Sequence, residues 1–479
     1  MPPSLREWLP DDHLVWFVIE AVDQVDLSPF YDRHRDDGWG RAAFDPKMVV
    51  TLLLYAYGKG IRSAREIERR LLEDVAFRVI AANERPDHST ICRFRQRHRD
   101  ALAQLFLQVL RLCVTAGAID TSVIAIDGTK LEANASRARN LTDDELREHI
   151  RRLFEEADAI DAAEDELYGD RRGDELPQHL ADRKSRIEWI RRQLADQLEE
   201  HGPTTRRGKP RRINTTDPDS AVLMGPKGFL QGYNAQLVVT EDQFIVTAEL
   251  SNSGADRQHF VSLVERSTEN LQQAGSETPI GAVVADAGYY SEEAASLEGA
   301  GDIVIPPARK ERLEQGRLAA RDEQLAQRRD KHVKRSHEWR RRADIIELAV
   351  AENLPLSELA KRLGVQVPRA CTLRNEFRSG GREAIERRAG PPPPKSIKEI
   401  MLDRIASDAG KALYAVRGRS VEPIFGQLKE ARGMRRFLHR GLPMCGTEWK
   451  LVASAYNLRK LCQRVTDLAN LALSAPSHP

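Results

Sequence analysis

The sequence predicts an α/β protein: a mixed sheet, preceded by a helical N-terminal domain and interrupted by two mostly helical insertions. Three observations predict this. Apolar runs such as TSVIAIDG (121–128) and IGAVVADAG (280–288) stop abruptly at an aspartate with a glycine one or two residues on, the pattern of buried strands. Long stretches before and between them repeat apolar residues every three or four positions, the helical period. Size and composition allow it: 479 residues, 41% hydrophobic and 31% charged, suffice for roughly two to four cored domains.

Residues 1–118 read as helical. MVVTLLLYAYGKG is an apolar helix with a glycine exit, and SAREIERRLLEDVAFRVIAA carries Ile67, Leu71, Val75 and Val79 at helical spacing. PDHSTICRFRQRHRDALAQLFLQVLRLCV opens another helix, with Asp87 or Ser89 as N-cap. Arg93, Arg95, Arg97 and Arg99 on it suggest a DNA-contacting domain, the bland alternative being a solvated face. The first strand, TSVIAIDGTK (121–130), then carries Asp127 at its end.

Residues 141–215 form the first insertion, a helical hairpin followed by a basic loop. One arm repeats Leu146, Ile150, Leu153, Ala157 and Ile160; the other repeats Leu180, Ile187, Ile190, Leu194 and Leu198, with Gly169 and Gly173 between them. FLQGYNAQLVVT and FIVTAELS flank EDQ as a β-hairpin, and DRQHFVSLVERSTENLQQ is a helix. IGAVVADAGYY is a strand ending at Asp286, EEAASLEGAG a short helix, and DIVIPP a last strand. The second insertion, 308–400, starts with the basic run RDEQLAQRRDKHVKRSHEWRRR. Behind it, Ala360, Gly364, Ala370 and Leu373 occupy the small, turn and apolar positions of a helix-turn-helix, with Pro368 in the first turn of the second helix. A final helix is expected to begin near Glu422, so the core sheet draws on 119–140, 216–307 and 401–470.

Charge is balanced, 74 Lys and Arg against 73 Asp and Glu, so any nucleic-acid binding must come from local basic patches. The five cysteines are scattered, with no C-x-x-C pair; this gives no zinc motif and fits a reducing cytosol. No signal peptide and no membrane span are expected, because no basic n-region precedes an apolar run and no stretch of about 18 apolar residues exists.

Asp127 after the first strand, Asp286 after the fourth and Glu422 on a late helix stand in an order that resembles the ribonuclease-H-like fold, where such carboxylates meet. Three crowded carboxylates repel one another unless a cation lies between them. Two Mg²⁺ ions about 3.5–4 Å apart, held by hard oxygen ligands, run in-line displacement at phosphorus. Asp127 is expected to bridge both ions, with Asp286 on one and Glu422 on the other. Lys429 follows Glu422 by seven residues, about two turns, on the same helix face, and Arg436 continues that face if the helix survives Gly433. Tyr414 and Arg417, just upstream, are placed to grip phosphate.

These residues resemble DDE-type transposases of bacterial insertion sequences. DGTKLEANAS is similar to the segment around that family's first acid and ADAGYYSEE to that around the second. Tyr414, Arg417, Glu422 and Lys429 resemble its tyrosine-arginine-glutamate-lysine signature; GFLQGYNAQ, EWKLVASAYNLRKL and the N-terminal FDPKMVVTLLLYAYGKGIRSAREIERR with PDHSTICRFRQRH also match. Two departures stand out. Four residues, 418–421, separate Arg417 from Glu422 where the signature has three, so Arg419 is expected to share or take over the role of Arg417; and the helix-turn-helix insertion is unusual.

The resemblance implies cleavage at an element's terminal inverted repeats and joining of the freed 3′ ends to target DNA. It implies two Mg²⁺ ions, with Mn²⁺ as substitute, a homodimer on DNA, and a cytoplasmic, nucleoid-associated protein. The competing readings are a ribonuclease-H-like nuclease that only hydrolyses, and a catalytically inactive DNA-binding regulator derived from a transposase.

Overall fold

The computed structural model describes residues 5–32, 43–149, 151–152, 155, 178–202, 204, 208–226, 228–299, 301–307, 315–390, 392 and 395–474. The chain divides into two compact units, Met1–Ile305 with Asp408–Pro479, and Pro306–Ser407.

The first unit opens with helices α1 (Leu14–Asp23), α2 (Ser28–Tyr31), α3 (Pro46–Gly58), α4 (Ala64–Glu73), α5 (Val75–Ile80), α6 (His88–Arg97) and α7 (Arg99–Thr115). Asp45 caps α3 by accepting from the Lys47 N–H at 3.0 Å, and Pro46 sits at its first position, where no N–H is needed. Nearly every residue of α3 is buried, which explains its apolar run all the way round. Asp87 caps α6, its carboxylate 2.6 Å from the Thr90 N–H. The single helix expected from residue 88 onward is two helices, broken at His98, whose ring turns inward against Phe94 at 4.5 Å and Phe30 at 5.5 Å.

The strands are β1 (Val123–Glu132), β2 (Asn140–Leu141), β3 (Ile213–Asn214), β4 (Ala221–Gly225), β5 (Gly228–Thr240), β6 (Ile245–Ser251), β7 (Ala282–Ala285) and β8 (Asp302–Val304). The main sheet runs β4-β5-β1-β7-β8, with β6 also paired to β5, and β2 and β3 form a small sheet of their own. β1 is antiparallel to β5 and parallel to β7, which is parallel to β8. Asp127 does not end its strand. Pairing with β7 stops at Ile126↔Ala285, whereas pairing with β5 continues to Glu132↔Gly232, so Asp127 lies where β1 loses one neighbour and keeps the other. β4 went unread in the sequence because it is an edge strand whose Val222 and Met224 face solvent.

Helix α8 (Gln178–His201) contributes Ile190 and Leu194 to a small core with Leu146 and Ile213. Ile150, Leu153, Ala157, Ile160, Gly169 and Gly173, expected in the other arm and the turn, lie outside the described residues. Helix α9 (Phe260–Gln273) follows β6, and a short helix α10 (Glu292–Ala295) follows β7.

The second unit contains α11 (Gln315–Ala351), α12 (Leu356–Leu363), α13 (Val367–Glu386) and α14 (Ile397–Ala406). Its core joins Ala343 and Ile346 of α11 to Leu359, Ala360 and Leu363 of α12 and Ala370 and Leu373 of α13. Gly364 links α12 to α13 in the left-handed conformation, at φ 64°.

Back in the first unit, α15 (Asp408–Gly426) and α16 (Leu442–Ser474) complete the fold. Glu422 lies deep inside α15, not at its start, and Pro423 follows it within the helix. Proline has no N–H for the carbonyl four residues back. The Arg419 carbonyl is satisfied instead by the Gln243 side-chain amide at 2.9 Å, which is how the helix passes through the proline. Asn457 of α16 bonds both backbone groups of Ile245, at 2.9 and 2.7 Å, and so serves as a further pairing partner for β6.

Candidate active site

The parallel register sets the first two acids side by side. Ile126 pairs with Ala285, and the next residue on each strand is Asp127 and Asp286. Asp127 Oδ1 accepts from the Gly128 N–H at 2.8 Å. Asp286 caps the short turn Ala287–Tyr289, with Oδ1 2.7 Å from the Gly288 N–H. In each case one oxygen is held by the backbone and the other is left to face α15.

Arg417 of α15 occupies the space between the acids. Its Nη2 donates to Asp127 Oδ2 at 2.9 Å and lies 3.9 Å from Asp286 Oδ2, while Nη1 donates to Glu422 Oε1 at 3.0 Å. Arg417 and Glu422 are five residues apart, roughly 140° around a helix at about 100° per residue. They meet because the long arginine reaches over the strand acids and the glutamate turns back to it. The side chains of Asp127 and Arg417 are 15% and 17% exposed, those of Asp286 and Glu422 39% and 54%, so the cluster has a closed floor and an open mouth. Burial pushes the Asp127 carboxyl above its usual range, against the pull of Arg417 and the Gly128 N–H.

Lys429 lies on the same face of β1 as Asp127, donating to the Thr129 hydroxyl. Burial, with Arg435 nearby, lowers its ammonium pKa. The helix does not continue to Arg436. It turns into a π-helical segment over Gln427–Ala431, and Gly433 takes φ 62°. Arg436 therefore lies in an extended segment paired with Glu132 of β1, its guanidinium 3.0 Å from Asn134 Oδ1. Arg419 does not join the acids; it pairs with Glu241, so the substitution expected for Arg417 is not seen. Tyr414, partly exposed, precedes Arg417 by one turn of α15.

The α6 arginines divide. Arg93 and Arg97 are exposed, but Arg95 is 4% exposed, with its guanidinium over the Tyr57 ring at 5.4 Å. Arg95 thus belongs to the helical core, not to an outer basic face.

Sequence reasoning missed a polar layer on the other face of β1. Asp256 Oδ1 accepts from Lys130 Nζ at 2.9 Å, Asn234 Nδ2 at 2.8 Å and Gln236 Nε2 at 3.0 Å, and the Tyr289 hydroxyl donates to Gln236 Oε1. Burial pushes the Asp256 carboxyl up, but Asn234, Lys130 and Gln236 hold it below its usual range. The signal was present: Asn234 and Gln236 are polar residues at alternate positions of β5, just before its apolar run Leu237–Val239. Gly128 is needed here, because a Cβ would lie 2.5 Å from Gln236 Nε2.

The donor set suits a hard divalent cation: three carboxylates converge on one cationic group and offer only oxygens. Among the described residues no three acidic, histidine or cysteine side chains stand close enough to hold an ion as they are; the acids surround the guanidinium instead. No described helix is long and apolar enough to cross a membrane.

Two segments of the chain match family models. Residues 3–97 match a transposase domain (DUF772), and residues 366–462 match a transposase DDE domain. The second match includes Tyr414, Arg417, Glu422 and Lys429, whereas Asp127 and Asp286 lie outside both. No curated protein and no solved structure matches the chain. A transposase domain near one end of the chain and a transposase DDE domain towards the other together support a DDE-type transposase of insertion sequences.

Proposed function

We propose that this transposase cleaves DNA at the terminal inverted repeats of an insertion sequence and joins the freed 3′ ends to target DNA, with Asp127, Asp286 and Glu422 as the catalytic acids. The observation that carries this reading is the convergence of all three carboxylates on the Arg417 guanidinium, from β1, the end of β7 and α15. The sheet order, with β1 between an antiparallel and a parallel neighbour, supports a ribonuclease-H-like arrangement.

Asp127, Asp286 and Glu422 would hold two divalent cations, Mg²⁺ or Mn²⁺. Bound there, the ions supply an activated water or hydroxyl and neutralise charge on the departing oxygen. Arg417 marks where positive charge is favoured between the acids, and in the reaction it is directed to a DNA phosphate. Lys429 is held over Thr129 on the same face to grip a neighbouring phosphate. The layer of Asp256, Lys130, Asn234 and Gln236 fixes β1 from behind, so that Asp127 keeps its orientation. Residues 1–118 and the insertions at 141–215 and 308–400 act as DNA-binding accessories to the catalytic core. The protein works as a homodimer on paired ends, on the nucleoid in the cytoplasm.

The test is cleavage of labelled DNA carrying the inverted repeats that flank the gene, with and without Mg²⁺. Asp127→Asn, Asp286→Asn and Glu422→Gln are each expected to abolish metal-dependent cuts while leaving binding intact. Undiminished cleavage in all three variants overturns the assignment. Cuts on branched or random DNA alone favour a nuclease, and binding without cuts by the unaltered protein favours a regulator.

A further inference from the structure

We propose that the second unit reads DNA sequence in the major groove through the outer face of α13, with Gln366, Arg369, Thr372 and Asn375 as the base-contacting residues. This rests on the reading of 308–400 as a DNA-binding accessory and deepens it by naming the face and the residues that recognise sequence.

Helix α12 ends at Leu363, and Gly364 in the left-handed conformation returns the chain, its N–H and that of Val365 reaching back to Lys361 and Ala360 carbonyls. Helix α13 then begins at Val367. This is two helices joined by a three-residue turn containing glycine, the frame that places a second helix in a groove.

The inner face of α13 is spent on packing: Ala370 and Leu373 are fully buried, and Phe377 packs against the same core. What remains exposed at its start is Gln366, the N-cap, followed by Arg369, Thr372 and Asn375; residues three apart on a helix step back about 60°, so the last three cover a face about 120° wide. Thr372 and Asn375 make only local bonds, to Pro368 O and Cys371 Sγ. Val367, at 44% exposed, adds an apolar contact beside them.

This stripe is the chemistry of direct readout. Arginine forks onto guanine O6 and N7, glutamine and asparagine pair with adenine N6 and N7, and threonine and valine methyls meet the thymine methyl. A protein-docking helix would instead expose an apolar stripe.

Charge points the same way. Lys361, Arg369 and Arg378 stand exposed on α12 and α13 without an ion pair among the described residues. Of the acids nearby, Glu358 pairs with Arg362, and Glu376 pairs with Arg388, which with Arg369 close by holds its carboxyl low. The face is therefore net positive, as a phosphate-flanked groove requires.

The experiment uses the full chain without divalent metal and a pool of short duplexes of randomised sequence. Bound duplexes are recovered, sequenced and titrated at fixed salt. The unaltered protein is expected to enrich a motif that Arg369→Ala relaxes at one base position, weakening the enriched duplex by roughly 5- to 150-fold. Arg369→Lys is expected to keep binding to unrelated duplexes while losing the base preference, because it retains the charge without the fork. A merely structural arginine would not separate these two effects.

No enriched motif, or a motif that survives Arg369→Ala combined with Gln366→Ala and Asn375→Ala, overturns the proposal. Its failure is distinguishable from failure of the catalytic reading. Repeat-end cleavage with no Arg369-dependent motif sinks only this proposal, and an Arg369-dependent motif without cleavage sinks only the other.

Discussion

Arg417→Ala removes the cation on which Asp127, Asp286 and Glu422 converge. Breaking a fully buried pair by deleting one partner costs about 3–5 kcal/mol. Here the Asp127–Arg417 pair keeps some solvent contact, at 15% and 17% exposure, and the Glu422 contact, at 54%, is worth at most about 1 kcal/mol. The substitution also removes a buried guanidinium Nε that has no hydrogen-bond partner, which returns part of the loss. The expected net cost is on the order of 2 kcal/mol, or a melting-point fall of roughly 2–3 °C for a unit of this size. Scanning calorimetry without metal and then with Mg²⁺ reads it. The variant is expected to regain more with Mg²⁺ than the unaltered protein does, because an ion entering it displaces no guanidinium. At an ion concentration of about 100 times Kd, binding restores about 2.7 kcal/mol. Equal melting points without metal, together with equal Mg²⁺ shifts, would refute the view that Arg417 holds the acids in place.

Three further outcomes follow from the same geometry. Glu448 is fully buried and accepts from Arg62 at 2.6 Å, His439 at 2.9 Å and the Leu438 N–H at 3.0 Å, which ties the N-terminal helices to α16. Glu448→Gln should cost about 3 kcal/mol in chemical denaturation. Burial raises the Glu448 carboxyl but His439 and Arg62 outweigh it and hold it low, so its contribution is full above the ordinary glutamate range and lost only as pH falls below it. Denaturation midpoints that do not separate between the two proteins at neutral pH would contradict this. Gly128→Ala drives a methyl into Gln236 and should cost about 1–3 kcal/mol by thermal melting, with loss of cleavage; an unchanged melting point would show that the Asp256 layer is loose. Lys429→Ala should weaken binding to repeat-end duplexes and flatten its salt dependence by about one unit of slope, and an unchanged slope removes the phosphate role.

Much of the sheet was legible because buried strands write themselves as apolar runs, and the aspartates that close VIAID and AVVAD are hard to mistake. Where Asp127 falls within its strand was not legible, since that depends on β7 stopping and β5 continuing, a property of pairing and not of local sequence. The α15 boundary was hidden by Pro423, which reads as a helix break until Gln243, far away in sequence, takes over the freed carbonyl. The same distance hides the choice between Arg417 and Arg419: spacing alone favours neither, and only the packing of α15 over β1 sends one to the acids and the other to Glu241. Arg95 looked like its exposed neighbours, yet the helical period turns it inward onto Tyr57.

The most direct test of the central claim is to map the DNA ends produced by the purified protein on a duplex bearing its own flanking repeat, with a plasmid present as target. The expected result is cuts that expose a 3′-hydroxyl at the repeat terminus, joining of that end to the plasmid, strict dependence on Mg²⁺ or Mn²⁺, and loss of both steps in Asp127→Asn. Cuts that persist in Asp127→Asn, or that need no divalent metal, would contradict it.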